Sequence, residues 1–206
     1  AEVGVTQAPV ALVTGAGRGL GRAIAERFHA AGYVVMATDS NAALLDDLPT
    51  GARWMTARLD VTDSQSAERV AQTLQARCAR LDVLVNNAGV MIPPPSKNED
   101  GFEIQFGINF IGHYALTGHL FNLIESTTDS RIVTLSSLAH KGSVIDFENF
   151  RLEKEYNTWR EYGQSKVADL IFTLELQRRL EKINSTTKSI GAHPGISKTE
   201  LLRTDK

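Results

Sequence analysis

Thr14-Gly15-Ala16-Gly17-Arg18-Gly19-Leu20-Gly21 follows the apolar run Val10-Ala11-Leu12-Val13 and leads straight into Arg22-Ala23-Ile24-Ala25-Glu26-Arg27-Phe28. The pattern predicts a short buried strand, a glycine turn and an amphipathic helix carrying Leu20, Ile24 and Phe28 on one side. Glycines at 15, 17, 19 and 21 permit a tight turn and let a ligand approach the backbone. The helix that opens there aims its unpaired N–H groups and positive dipole end into the turn, an arrangement that suits a pyrophosphate. A GxxxxGK[ST] phosphate loop is excluded, because Arg22 and Ala23 follow Gly21. GxGxxG also fails, since Leu20 stands where its third glycine belongs. The spacing that fits is TGxxxGxG. A plain strand–helix turn can carry the same glycines, so the decision falls to the rest of the chain.

The chain has 206 residues, 42% hydrophobic and 22% charged, with a formal net charge of -2. That is one domain over residues 1–206, long enough to bury a sizeable core. The charge balance excludes a nucleic-acid surface, and no charge block marks a tail. The most apolar helix candidate, around Ile111 to Ile124, is broken by His113, His119 and Asn122, which argues against a membrane span. The N-terminus does not read as a signal peptide. The single cysteine, Cys78, falls in a predicted helix and reads as a small buried thiol. The expectation is a cytoplasmic protein.

Further apolar runs predict strands at Tyr33–Thr38, Arg53–Leu59, Val83–Val85, Arg131–Leu135 and Ser189–Ala192. Helices are predicted at Ala42–Leu48, at Ser64–Ala79 with Asp63 as its cap, from about Phe102 to Ile124, and from about Trp159 to Ile183. Strands that alternate with helices and are apolar without a period of two belong to an α/β fold with a parallel sheet covered on both faces. Ligands bind such sheets beyond the carboxyl ends of the strands. The glycine turn, Asp39, Asp60, Asn86-Asn87, Ser137 and His193 all fall at those ends and define one crevice.

Tyr162 and Lys166 are four apart at the start of the long helix and share a face. A phenol titrates near ~10, too high for a base near neutrality. An adjacent ammonium favours the phenolate, which makes the pair a proton donor and acceptor for alcohol–ketone interconversion. His113, His119, His140 and His193 lack the spacing of a metal site, and no metal is expected.

TGAGRGLG at 14–21, NNAG at 86–89, Asn109, Leu-Ser-Ser at 135–137, YxxxK at 162–166 and PGxxxT at 194–199 occur in the order found in short-chain dehydrogenases/reductases, and the chain resembles that family from residue 9 to about 202. It looks most like the retinol-dehydrogenase-like branch, which also has a long insert between the serine and the tyrosine, here Leu138–Glu161. The resemblance implies a Rossmann-type doubly wound sheet, with six strands visible and the usual last edge strand missing. It implies hydride transfer between a nicotinamide cofactor and an alcohol, ketone or aldehyde. Tyr162 would be the general acid/base, and Lys166 would hold the nicotinamide ribose. Ser137 would hydrogen-bond the substrate oxygen, and Asn109 would hold a water. Ser137 is preferred to Ser136 because it aligns with the family's serine. The cofactor would lie on Gly15, Gly17, Arg18, Gly19, Leu20 and Gly21, with Asp60 and Val61 at the adenine. Asn86, Asn87, Ala88 and Gly89 would flank it on the adenosine side, with Ile196 and Thr199 at the carboxamide. Asp39, 24 residues after Gly15, would accept hydrogen bonds from the adenosine ribose and repel a 2′-phosphate, which favours NAD over NADP. Retinoid, steroid and simple aliphatic alcohols all remain open as substrates.

Two features sit apart from this pattern. The chain stops eleven residues after Gly195, and its composition changes midway: no lysine precedes Lys97 and eight occur from there on. The expectation drawn is a join of two related members near Asn86–Val90, and a truncated or chimeric chain that binds NAD(P) with little activity is the alternative reading. Along the long helix, Val167, Leu170, Ile171 and Leu174 are expected to face the sheet. Ala168, Phe172, Leu176 and Leu180 then form a second stripe, from which a homodimer through helices 113–124 and 163–180 is expected, with Phe172 near its centre.

Overall fold

Val10, Ala11, Leu12 and Val13 are all fully buried, and the strand they form, β1 (Val10–Thr14), runs through the middle of the sheet. In the computed structural model, which describes residues 7–195, β1 lies between β2 (Val34–Asp39) and β4 (Val83–Asn86). With β3 (Trp54–Arg58), β5 (Arg131–Leu135) and β6 (Lys188–Ala192) they make a six-stranded parallel sheet in the order β3-β2-β1-β4-β5-β6. Alternate residues of β1 serve opposite faces. Val10 and Leu12 pack with Met36, Leu84 and Ile132 against Val70 and Leu74 of α2 (Ser64–Arg77) and Leu116, Leu120 and Ile124 of α4 (His113–Glu125). Ala11 and Val13 pack with Val35, Ala37 and Val85 against Ala25, Ile24 and Phe28 of α1 (Gly19–Ala30). Burial on both faces explains why these strands are continuously apolar. Each fully buried leucine or isoleucine contributes about 1.5–3 kcal/mol of transfer free energy.

The strand order reverses between β1 and β4, and the connections after all six strands leave from one edge of the sheet. The crevice expected there is therefore built by the topology. Among the described residues no helix is long and apolar enough to cross a membrane.

The segment expected as one helix from Phe102 to Ile124 is three pieces. A short α3 (Ile104–Phe106) runs into a π-helical turn at Gly107–Gly112, and α4 follows. Glu103 caps the start by accepting from the backbone N–H groups of Gln105 and Phe106 at 2.9 and 2.8 Å. Gly112 passes so close to the β3–α2 loop that a Cβ there would lie 2.7 Å from the Val61 carbonyl oxygen. The expected helix at 42–48 is a single 3₁₀ turn, Ala42–Leu45.

In α5 (Thr158–Lys182) the expected inner stripe is kept only in part: Leu170 lies against β6, 3.5 Å from where a Cβ on Gly191 would be, but the two residues that follow it in the stripe turn outward. Ile171 is 52% and Leu174 71% exposed, whereas Ala168 and Leu180 are buried and Leu176 packs on the core. The buried line runs Lys166, Asp169, Thr173, Leu180, and its first three members are polar. They tolerate burial because they are partnered: Thr173 donates to the Asp169 carbonyl and Lys166 pairs with Asp169. Counting apolar side chains alone therefore misplaced Ile171 and Leu174. Phe172 packs edge-on to Tyr114 and Phe110 instead of facing outward alone.

The insert is docked on the body of the protein. Phe150 stacks on Phe106 at 4.6 Å, and Gln105 donates to the Tyr156 hydroxyl and the Thr158 carbonyl. Asn149 donates to the fully buried carboxylate of Glu161, which also pairs with Arg160. Leu138, Val144 and Phe147 of the insert stay exposed.

Candidate active site

The glycine turn is shaped by contacts only glycine permits. Gly15 and Gly19 have φ of 63° and 55°. A Cβ on Gly21 would sit 2.0 Å from the Gly15 carbonyl oxygen, and one on Gly17 would sit 2.9 Å from the Asp39 carboxylate. Asp39 accepts from the Gly17 N–H at 3.1 Å and from the Asn41 N–H at 3.0 Å, so the end of β2 is pinned beneath the turn. Helix α1 starts at Arg18 with no side-chain cap and no acidic residue in its first turn. Its dipole end is thus left to an external anion.

Thr14 ties this turn to the end of β4. Its hydroxyl oxygen accepts from the N–H groups of Asn87 and Ala88 at 2.9 and 2.8 Å, while the Asn87 amide donates to the carbonyls of Thr14 and Gly15. Asn87 therefore braces the turn from below. Asn86, expected at the cofactor, is instead fully buried and donates to Thr117. It is the last residue of β4, and strand alternation turns it into the core while its neighbour reaches the crevice. A cleft of about 930 Å³ opens beside the turn, lined by Gly15, Asp39, Asp60, Val61, Ala88 and Gly89. Asp60 is held by the N–H and hydroxyl of Thr62 at 2.9 and 2.7 Å.

Asn109 lies in the π-helical turn and is fully buried. Its side chain accepts from the Val90 N–H at 2.8 Å and donates to the Val90 carbonyl and to Ser165. It clamps the strand leaving NNAG to α5. The Asn109 carbonyl lies 2.9 Å from His113 Nδ1, and because a carbonyl only accepts, that nitrogen carries the proton. Nε2 is then an acceptor facing the Thr14 hydroxyl at 3.2 Å. Burial, with the Lys166 ammonium adding to it, pushes His113 down to about 3, so it stays neutral. The sequence pattern marks His113 as a break in an apolar helix and as no metal ligand, but not as part of this site; its position four residues after Asn109 was the available signal.

At the end of β5 the two serines part. Ser136 is buried and donates to the Lys166 carbonyl at 2.8 Å. Ser137 is part-exposed and accepts from the Ala139 N–H, which leaves its own proton for another acceptor. Asn157 caps α5, which then presents Tyr162 and Lys166, 4% and 6% exposed, one turn apart. The Tyr162 hydroxyl has no hydrogen-bond partner among the described residues, and Lys166 Nζ lies 6.0 Å from its ring centre. Lys166 donates to the Leu135 carbonyl at 2.8 Å and to Asp169 at 2.9 Å, a partner the sequence reading missed. Ile196 and Thr199 lie outside the described residues. Among the described residues no three His, Cys, Asp or Glu side chains are grouped to hold a metal.

A glycine turn on an uncapped helix, an acid at the end of β2, and a serine, tyrosine and lysine at the end of β5 define a family by their arrangement. The family profile of short chain dehydrogenases matches residues 9–206. The chain belongs to the short-chain dehydrogenase family. Within that family it is 39% identical to retinol dehydrogenase 14 of Mus musculus, over 98% of this chain and 65% of that one. It thus spans just under two thirds of that relative's length, and one relative covers both sides of Asn86–Val90. Among solved structures it resembles an uncharacterised protein of Mycobacterium paratuberculosis, with 37% identity and a TM-score of 0.81 over 95% of this chain and 71% of that one. It also resembles the closed form of serine dehydrogenase complexed with NADP+, with 25% identity and a TM-score of 0.76 over 93% and 74%.

Proposed function

We propose that this short-chain dehydrogenase transfers hydride between a nicotinamide dinucleotide, preferably NAD, and an alcohol or carbonyl substrate, with Tyr162 as general acid/base. The observation that carries the reading is Tyr162, buried one helical turn from Lys166, with a hydroxyl that has no hydrogen-bond partner among the described residues. The dinucleotide fits the residues present: the uncapped start of α1 would take its pyrophosphate, the missing side chains at Gly15 and Gly17 let the turn close down on Ala88 and Asp39, and nothing lies within 4 Å of where a Cβ on Gly19 would be. When bound, it supplies the hydride acceptor or donor. Ser137 donates its spare proton to the substrate oxygen, and Tyr162 takes the hydroxyl proton in oxidation or returns it in reduction. Lys166 holds positive charge beside the phenol, and Asn109 fixes the Val90 segment and α5 in register around them. Following dinucleotide absorbance with a panel of alcohols and ketones, beside a binding titration, tests this; binding without turnover on any of them would favour a dinucleotide-binding chain without catalysis.

The preference for NAD rests on Asp39, whose carboxylate lines the cleft at the end of β2 and would face the adenosine ribose. Asp39→Ala is expected to relax the NAD over NADP ratio by about ten- to a hundredfold, since charge-assisted hydrogen bonds contribute roughly 1.5–3 kcal/mol. Separate titrations with the two dinucleotides read that ratio, and an unchanged value would remove Asp39 from the ribose site. An apolar alcohol is the substrate class we favour, supported by the exposed Leu138, Val144 and Phe147 of the insert and by relatives named retinol dehydrogenases.

The same reading includes a cytoplasmic homodimer through residues 113–124 and 163–180. The buried thiol of Cys78 is in keeping with a reducing compartment. The apolar surface available for pairing is Tyr114, Ile171 and Leu174, which the protomer leaves exposed, in place of Ala168 and Leu180. Ile171→Glu changes a side chain that the protomer does not bury, so it is expected to give folded monomers by light scattering. A wild-type chain that is already monomeric at micromolar concentration would end the dimer proposal.

A further inference from the structure

The ammonium of Lys166 is not held by the catalytic residues around it. It sits between the Leu135 carbonyl at 2.8 Å and the Asp169 carboxylate at 2.9 Å, with the Tyr162 ring centre 6.0 Å away. Asp169 is 1% exposed, and its second oxygen, Oδ1, has no hydrogen-bond partner among the described residues. A buried carboxylate with one oxygen unsatisfied is an expensive element for a fold. Burial outweighs the pull of Lys166 and raises Asp169 to about 6. Charging it therefore works against folding between the ordinary carboxylate range and pH 6, and stability is not what this side chain supplies.

We propose that Asp169 is a positioning residue for the reaction: its carboxylate docks the Lys166 ammonium against the end of β5 and sets how much of that positive charge acts on Tyr162. The inference rests on the oxidoreductase reading above. Because the acid is one helical turn beyond Lys166, it draws the ammonium toward its own end of α5 and offsets part of its field. Above pH 6 the carboxylate is charged and the offset is in force. Below it, Asp169 is neutral and Lys166 is released to act with its whole charge. The only charge that bears on Asp169 among the described residues is Lys166. Tyr162 and the buried Glu161 share α5 with the pair, and the helix's other charged groups, Arg160 and those from Glu175 on, lie outside its buried line; the neutral His113 is on α4 and Glu103 precedes α3. His140 follows β5, and Arg131, Lys188 and His193 are exposed at the strand ends.

The test is Asp169→Asn, which keeps an oxygen for Lys166 and removes the charge. The limb of the pH–rate profile that follows Tyr162 ionisation is expected to move toward acid by about one pH unit, the size of effect a neighbouring charge has on a buried group. Asp169→Glu, which restores the charge, is expected to move it back toward wild type. A role confined to packing would lower turnover evenly at all pH values and leave the limb in place, and that result would overturn the proposal. The ultraviolet phenolate absorbance of Tyr162, taken as the difference between each protein and its Tyr162→Phe counterpart, reads the same shift without turnover. If no substrate is turned over but the absorbance midpoint moves, the electrostatic role stands and the oxidoreductase reading fails. If turnover is present and neither midpoint moves, the function stands and Asp169 has no part in it. Should Asp169→Asn not fold, Asp169→Ser, which also removes the charge, is put through the same two measurements, and midpoints equal to those of wild type would overturn the proposal.

Discussion

Tyr162→Phe is expected to bind the dinucleotide as wild type does and to lose about 10²–10⁴-fold in turnover, the contribution of general acid/base catalysis. The substitution removes one oxygen from a side chain that is 4% exposed, and that oxygen has no partner among the described residues. Nothing in the fold is unpaired by its loss, so the melting temperature should stay close to wild type. The separation is what makes the experiment informative. Lys166 remains docked on Asp169 and Leu135, Ser137 keeps its proton, and the glycine turn is untouched. A variant that kept most of its turnover would show that the proton moves through some other group.

Gly21→Ala is expected to be the most damaging alanine substitution among the described glycines. Its Cβ would lie 2.0 Å from the Gly15 carbonyl oxygen and 2.5 Å from the Asn87 amide nitrogen. Neither neighbour is a loose side-chain end. Gly15 is backbone at the end of β1, and the Asn87 amide already donates to Thr14 and Gly15. Either α1 or the end of β4 must move, and overpacking of this kind costs about 1–3 kcal/mol, a loss of roughly 2–12 °C in melting temperature for a chain of this size. Displacing the start of α1 by about 1 Å also misplaces the pyrophosphate amides, so dinucleotide affinity should fall by at least about tenfold. Gly19→Ala is the comparison: nothing lies within 4 Å of its Cβ, and only its φ of 55° is strained. Thermal melts and fluorescence titrations of the two variants should therefore differ. Equal, mild effects would mean that the turn is softer than its contacts imply.

The sheet was legible because its central strands, β1, β2 and β4, are buried on both faces, and residues such as Val10 to Val13 have no polar alternate to confuse a helix with a strand. The order of motifs made the crevice legible as well, since the glycine turn, NNAG and the serine pair each follow directly from a strand. What escaped was polar burial. Lys166, Asp169 and Thr173 lie on the inner line of α5, and a reading that sends polar residues outward puts Ile171 and Leu174 inside in their stead. Asp169 was visible in principle, three residues after Lys166, but an acid near a lysine on a helix is usually a solvent-exposed pair. Asn86 and Asn87 carry the same side chain, and only the pleat of β4 decides which of them is interior. The π-helical turn left no mark in the pattern of apolar residues, since Gly107 and Gly112 read simply as weak helix formers.

That turn holds one residue more than the helix around it requires, and it does so between two residues with fixed partners. Asn109 is anchored to Val90 and Ser165, and His113 is anchored to Thr14. Each residue of an α-helix rotates the chain by about 100°. A one-residue deletion between them, Ile111 for example, would give a more regular helix and leave it in the wrong phase: with α4 packed on the sheet, Asn109 would swing away from Val90. Insertions and deletions in this stretch are therefore not interchangeable with substitutions. The reading frame of the helix, as much as the identity of its side chains, is what this active site inherits from its sequence.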